Sequence, residues 1–110
     1  MTLSTHVLDS ARGTPAAGIT ISLYALEGER RELLGQAVTN ADGRTDAALA
    51  TALGPGTYEL VFAAAAYFAA ARTRSFYGDI PIRFTLGGDG EHYHVPLLLS
   101  PWSYTTYRGS

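Results

Sequence analysis

The sequence predicts an all-β sandwich carrying a single short helix. Apolar and polar residues alternate in short runs along most of the chain, and a period of two sends alternate side chains to opposite faces of a sheet. The runs are separated by Gly, Pro, Asn and Asp in combinations that set turn dihedrals. The chain has 110 residues and no cysteine, so residues 1–110 form one domain whose core comes from packed faces without disulfide staples.

In chain order, the first strand is Leu3–Leu8, closed by the turn Arg12-Gly13-Thr14-Pro15. Ile19–Ala25 and Arg31–Thr39 follow as a pair about Glu27-Gly28, and Asn40-Ala41-Asp42-Gly43 turns the chain into Arg44–Leu49. Gly54-Pro55-Gly56 opens Gly56–Ala63. The segment Ala63–Arg72 breaks the alternation: alanine is the best helix former, and about two turns of helix are expected from near Ala65, docked through Tyr67 and Phe68 because so short a helix is marginal alone. Ile80–Leu86, the turn Gly87-Gly88-Asp89-Gly90, His92–Leu99, the turn Ser100-Pro101 and Ser103–Tyr107 complete the order. No repeat, linker or domain boundary interrupts it.

Composition excludes several classes of chemistry. The formal charge is −2 and the pI about 5.8, with no basic stripe to neutralise phosphates, so nucleic acid is not an expected partner. All eight basic residues are arginine, which removes the lysine of a P-loop, a Schiff base or a lysine general base. The start MTLSTHVLD lacks the basic and apolar regions of a secretory leader, and the most apolar stretch, Val61 to Ala71, falls short of the ~20 residues that span a bilayer. A soluble, cytoplasmic protein with no membrane partner is expected.

The informative segment is His92-Tyr93-His94-Val95-Pro96-Leu97-Leu98-Leu99. Val95, Leu97 and Leu99 suit the space between two sheets; His94, Pro96 and Leu98 take the other face. That outer face should be polar in a lone sandwich, so something covers it. The first strand repeats the arrangement, Leu3, Thr5 and Val7 against Ser4, His6 and Leu8. A single strand histidine reads most simply as structural or surface, and Arg44 behind a tight turn as a solvated arginine. Two histidines at matching outer positions, with Arg44, make a functional reading competitive. His92, His94 and His6 also allow a three-histidine zinc site, although no carboxylate is plainly placed to orient a ligating ring. Calcium-loop, phosphate-loop and serine-triad patterns are absent.

Several segments resemble the transthyretin-like family: Leu3-Ser4-Thr5-His6-Val7-Leu8-Asp9, Gly13-Thr14-Pro15-Ala16, Asp42-Gly43-Arg44, Gly56-Thr57-Tyr58-Glu59-Leu60 and Phe76-Tyr77-Gly78-Asp79-Ile80-Pro81-Ile82. Most specific is the run His92 to Pro101, closing in Tyr104-Thr105-Thr106-Tyr107-Arg108-Gly109-Ser110, whose last four residues resemble the family's hydrolases rather than its vertebrate hormone carriers. Gly78, where proline is commoner, and the alanine-rich helix depart from the pattern. The resemblance implies two four-stranded sheets with one short helix, assembled as a homotetramer (a dimer of dimers) with sites in a channel lined by the outer sheet face. It implies hydrolytic ring opening of 5-hydroxyisourate to 2-oxo-4-hydroxy-4-carboxy-5-ureidoimidazoline in urate breakdown, with no metal or organic cofactor. His6 and His94 would activate water and move protons, and Arg44 would orient the planar substrate. Tyr107, Arg108 and Ser110 would bind substrate and close the site. The alternative is a non-catalytic carrier of the same fold, to which so titratable a set is poorly suited.

Overall fold

The structure is a computed structural model and describes residues 1–88 and 90–110. Its strands are β1 (Thr2–Ser4), β2 (Val7–Asp9), β3 (Thr14–Pro15), β4 (Thr20–Glu27), β5 (Arg30–Val38), β6 (Gly56–Phe62), β7 (Ile80–Leu86), β8 (His92–His94), β9 (Leu97–Leu99) and β10 (Tyr104–Thr106), with helix α1 (Ala64–Ala70) between β6 and β7. One four-stranded sheet runs β5-β4-β6-β7 and is antiparallel throughout. The other runs β10-β9-β2-β3 and is extended by the parallel pair β1-β8. Of the predicted turn at 87–90, Asp89 lies outside the described residues.

The two long strands expected at Leu3–Leu8 and His92–Leu99 are each interrupted, at Thr5-His6 and at Val95-Pro96. Pro96 has no N–H to give to a ladder. The parallel pairing nevertheless stays in frame across the interruption, Ser4 facing His94 and Val7 facing Leu97. Val95 N–H donates to the Ser4 carbonyl and Leu97 N–H to that of His6, both at 2.9 Å. The buried Thr5 hydroxyl donates to the Val95 carbonyl at 2.6 Å. Side-chain parity therefore survives: Leu3, Thr5, Val7 and Asp9 are buried, while Ser4, His6 and Leu8 are only half-buried. The inward set meets Ile21, Leu23, Leu60, Phe62 and Ile82 of the other sheet to form the core.

Residues 44–49 do not form the expected strand. The chain bends there and touches the sheet through one isolated bridge, Leu3 with Ala50. The Thr45 hydroxyl bonds the Ala47 carbonyl at 2.5 Å, a local partner that competes with a ladder. The turn before it forms as expected. Asn40 Oδ1 accepts from the N–H groups of Asp42 (2.9 Å) and Arg44 (3.2 Å), and Gly43, at φ 74°, lets its carbonyl accept from Val7 N–H at 2.8 Å. A β-carbon at Gly43 would overlap the Val7 carbonyl oxygen and stand 3.1 Å from Pro15 Cβ. Gly43→Ala is expected to lose about 2 kcal/mol or more in urea unfolding, from strain at positive φ plus this overlap. A loss under about 0.5 kcal/mol would show that the loop yields freely.

Helix α1 begins one residue before its expected start and docks as anticipated through its aromatics. Phe68 is buried, and the Tyr67 hydroxyl donates to Asp9 Oδ2 at 2.7 Å. Asp9 Oδ1 accepts from the N–H groups of Ala11 and Arg12 at 3.1 and 3.0 Å, so a buried carboxylate at the end of β2 ties the turn and helix to the sheet. Burial, and then the hydrogen bond and charge of Asp9, push the Tyr67 phenol up to about 12, against an opposing pull from Arg12. Among the described residues no helix is long and apolar enough to cross a membrane.

Candidate active site

The outer face of the sheet containing β1, β2, β8 and β9 gathers the predicted residues. His6 lies at the interruption between β1 and β2, and its Nε2 is 2.9 Å from the Asp42 carbonyl oxygen. A carbonyl only accepts, so this nitrogen carries the proton. The docked turn that supplies Asp42 also carries Arg44, which is exposed. His94, half-buried at the end of β8, puts Nδ1 2.8 Å from Ser4 Oγ across the parallel pair.

These groups feel one another. The His94 pKa is lowered from 6.5, first by burial and then by the positive charges of Arg44, His6 and His92. The neutral ring is thus favoured at neutral pH, leaving a lone pair for a proton. In an NMR titration the His94 ring is expected to titrate below 6.5, and Arg44→Gln to move it upward, because removing a cation stabilises the protonated ring. An unchanged midpoint in that variant would mean that Arg44 does not act on His94.

The C-terminal tail covers part of this face. β10 pairs antiparallel with β9, Tyr104 opposite Leu99 and Thr106 opposite Leu97, and the same frame continues to an isolated bridge between Gly109 and His94. In that frame Tyr107 stands opposite Pro96 on the outer face and Arg108 opposite Val95 on the inner one. The Thr106 hydroxyl donates to the Pro96 carbonyl at 2.8 Å, and Gly109 N–H to the His94 carbonyl at 2.7 Å. Pro96 is accordingly buried within the chain itself, so part of the cover expected for this face is intramolecular. Any side chain at position 109 would come within 2.5 Å of the His94 ring.

The structure thus brings His6, Arg44 and His94 together; Tyr107 has the parity of Pro96 in the continued frame but lines a cleft shared with Arg108, Tyr93 and Val95. The structure does not bring Arg108 to the three: that guanidinium lies 4.8 Å over the Tyr93 ring, toward the inner side of the strand. Ser110 is exposed beyond Gly109. Ser4, which sequence reasoning counted only as a small neighbour, makes the direct contact with His94; its parity with His6 was the available signal. Among the described residues no three His, Cys, Asp or Glu side chains converge as metal ligands would.

Comparison with known proteins gives a consistent result. The HIUase/Transthyretin family profile matches residues 3–109. The chain is similar to the 5-hydroxyisourate hydrolase of Deinococcus radiodurans, with 52% identity over 113 residues, covering 98% of this chain and 95% of that protein. The structure of Klebsiella pneumoniae 5-hydroxyisourate hydrolase matches with TM-score 0.87 at 44% identity, over 100% of both chains. The crystal structure of (S)-allantoin synthase matches with TM-score 0.88 at 42% identity, over 99% of this chain, which spans 43% of that one.

Proposed function

The chain belongs to the HIUase/transthyretin family, and on that premise we propose a hydrolase that opens 5-hydroxyisourate to 2-oxo-4-hydroxy-4-carboxy-5-ureidoimidazoline in urate breakdown. The observation that carries this reading is the meeting of His6, Arg44 and His94 on one sheet face, with His94 held toward its neutral form, in a chain 52% identical to a protein named for that activity. Water loses a proton to a histidine, its oxygen bonds to the ring carbonyl carbon, and the carbonyl electrons move onto oxygen. The carbon–nitrogen bond then breaks and the leaving nitrogen takes a proton. Arg44, a rigid and permanently charged fork, orients the planar substrate and holds the negative charge that develops on oxygen. Tyr107 and Ser110 close the site, and Arg108 serves it by holding the tail against Tyr93. The test is the ultraviolet absorbance of freshly generated 5-hydroxyisourate with and without protein; decay no faster than the spontaneous rate would overturn the reading.

A homotetramer, a dimer of dimers with its sites in a channel between them, completes this proposal. Leu98 supports it, an apolar side chain left half-exposed beside His94 and Tyr107 where a lone sheet would carry polar residues. Leu98→Glu is expected to separate the dimers, since like charges would meet across a buried interface. Light scattering checks this, and a fully active monomeric wild type would defeat the interface argument.

A further inference from the structure

A chain of hydrogen bonds runs from His94 to the surface through Ser4, His92 and Thr2. Ser4 Oγ lies 2.8 Å from His94 Nδ1 and 3.1 Å from His92 Nε2. His92 Nδ1 lies 2.6 Å from Thr2 Oγ1, and the Thr2 hydroxyl reaches the Glu91 carbonyl at 3.2 Å. Each hydroxyl has one hydrogen to give, and a carbonyl has none. The direction of the whole chain follows from its end. With the Thr2 hydroxyl donating to the Glu91 carbonyl, its hydrogen is spent there and His92 Nδ1 is the donor to Thr2. A neutral His92 then has a bare Nε2, which accepts the Ser4 hydrogen. Ser4 in turn accepts from His94 Nδ1–H, and the bare nitrogen of neutral His94 is Nε2.

We propose that Ser4 is a positioning residue that holds His94 with its proton on Nδ1 and its Nε2 lone pair free for water, and that Ser4 and exposed His92 form the exit path for the proton that His94 removes. The inference rests on the proposed hydrolysis and deepens it. The step balances: Nε2 of His94 gains a proton from water, its Nδ1 proton passes to Ser4 Oγ, and the Ser4 hydrogen passes to His92 Nε2. His92 becomes an imidazolium at the surface and exchanges its proton with solvent; when the leaving nitrogen takes the Nε2 proton of His94, a proton returns through His92 and Ser4 to Nδ1 and restores the starting tautomer. The titratable and charged groups facing His94 are Arg44, His6 and His92; the permanent charge of Arg44 opposes a lasting positive charge on His94, so a path that removes it has a function. Among the described residues His6 has no such path, its Nε2–H ending on the Asp42 carbonyl.

The experiment pairs nitrogen NMR of the histidine rings with kinetics on 5-hydroxyisourate. In the wild type, neutral His94 is expected to show a protonated Nδ1 and a bare Nε2, opposite to the form free imidazole side chains prefer. Ser4→Ala is expected to lose that preference and to lower kcat roughly tenfold or more with little change in KM, since tautomer and proton transfer are affected and substrate contacts are not. Ser4→Thr, which keeps the hydroxyl, should restore both the spectrum and most of the turnover. His92→Phe should keep the His94 tautomer but lower kcat in a way that added imidazole buffer relieves. A wild-type His94 protonated on Nε2, or Ser4→Ala with unchanged kcat, would overturn the inference while leaving the hydrolase reading intact. A wild-type protein with the expected ring spectrum but no hydrolysis would instead overturn the function, and with it the proton exit.

Discussion

Replacing either His6 or His94 with asparagine is expected to lower turnover by roughly 100-fold or more, the usual scale for losing an acid–base group. Asparagine approximates the near half of an imidazole and can keep one hydrogen bond, but it neither takes nor gives a proton at neutral pH. Neither ring is part of the buried core, so both variants should melt close to the wild type. Their pH profiles should differ. Without His94, the group whose pKa burial and neighbouring cations lower is gone, and the acid limb that it produces should disappear. Near-normal turnover in both variants would make the two histidines structural residues.

Deletion of Tyr107 to Ser110 is expected to abolish or severely reduce hydrolysis at modest cost in stability. Terminal residues ordinarily tolerate removal. Here the deletion removes the 2.7 Å bond from Gly109 to His94, the Arg108–Tyr93 contact and the residue opposite Pro96. The first two are worth about 1 kcal/mol each, together a melting-temperature loss on the order of 10 °C in a domain of this size. The catalytic loss should be far larger, because the His94 strand loses its outer neighbour and the site its cover. A melting curve and the absorbance assay on the same truncated protein separate the two effects. Full activity would make the tail dispensable, and a collapsed melting temperature would make its role structural.

Local patterns carried much of this into view before the coordinates did. The alternation over Leu3–Leu8 and from His94 to Leu99 identified the two faces, because side-chain parity outlasts the interruptions at Thr5-His6 and Val95-Pro96. Alanine content placed α1 to within a residue. Residues 44–49 misled because a run of this composition resembles a strand whether or not a neighbour pairs with it; here the neighbour is met only at the end of the run, where Leu49 N–H donates to the Leu3 carbonyl and Leu3 bridges Ala50. The relay through Ser4 depends on register between strands some ninety residues apart, and no local pattern encodes that. The direction of Arg108 was hidden for a related reason: it follows from how far the β10 frame continues, which only the Gly109 bridge reveals.

That continuing frame bears on how the C-terminal segment can change length. From Tyr104 to Gly109 the chain keeps one antiparallel register against Leu99 to His94, and a one-residue slip in such a pairing sends every side chain to the opposite face. A single residue inserted between Thr106 and Tyr107 would itself stand opposite Pro96, turn Tyr107 inward, and bring Arg108 to the position opposite His94, where only glycine clears the ring. An insertion in the Ser100–Ser103 turn could be absorbed there as a longer loop. Natural or engineered length variants should therefore be accepted at the turn and rejected inside the tail, where even a two-residue insertion, which keeps the parity, displaces Gly109 from its place against His94.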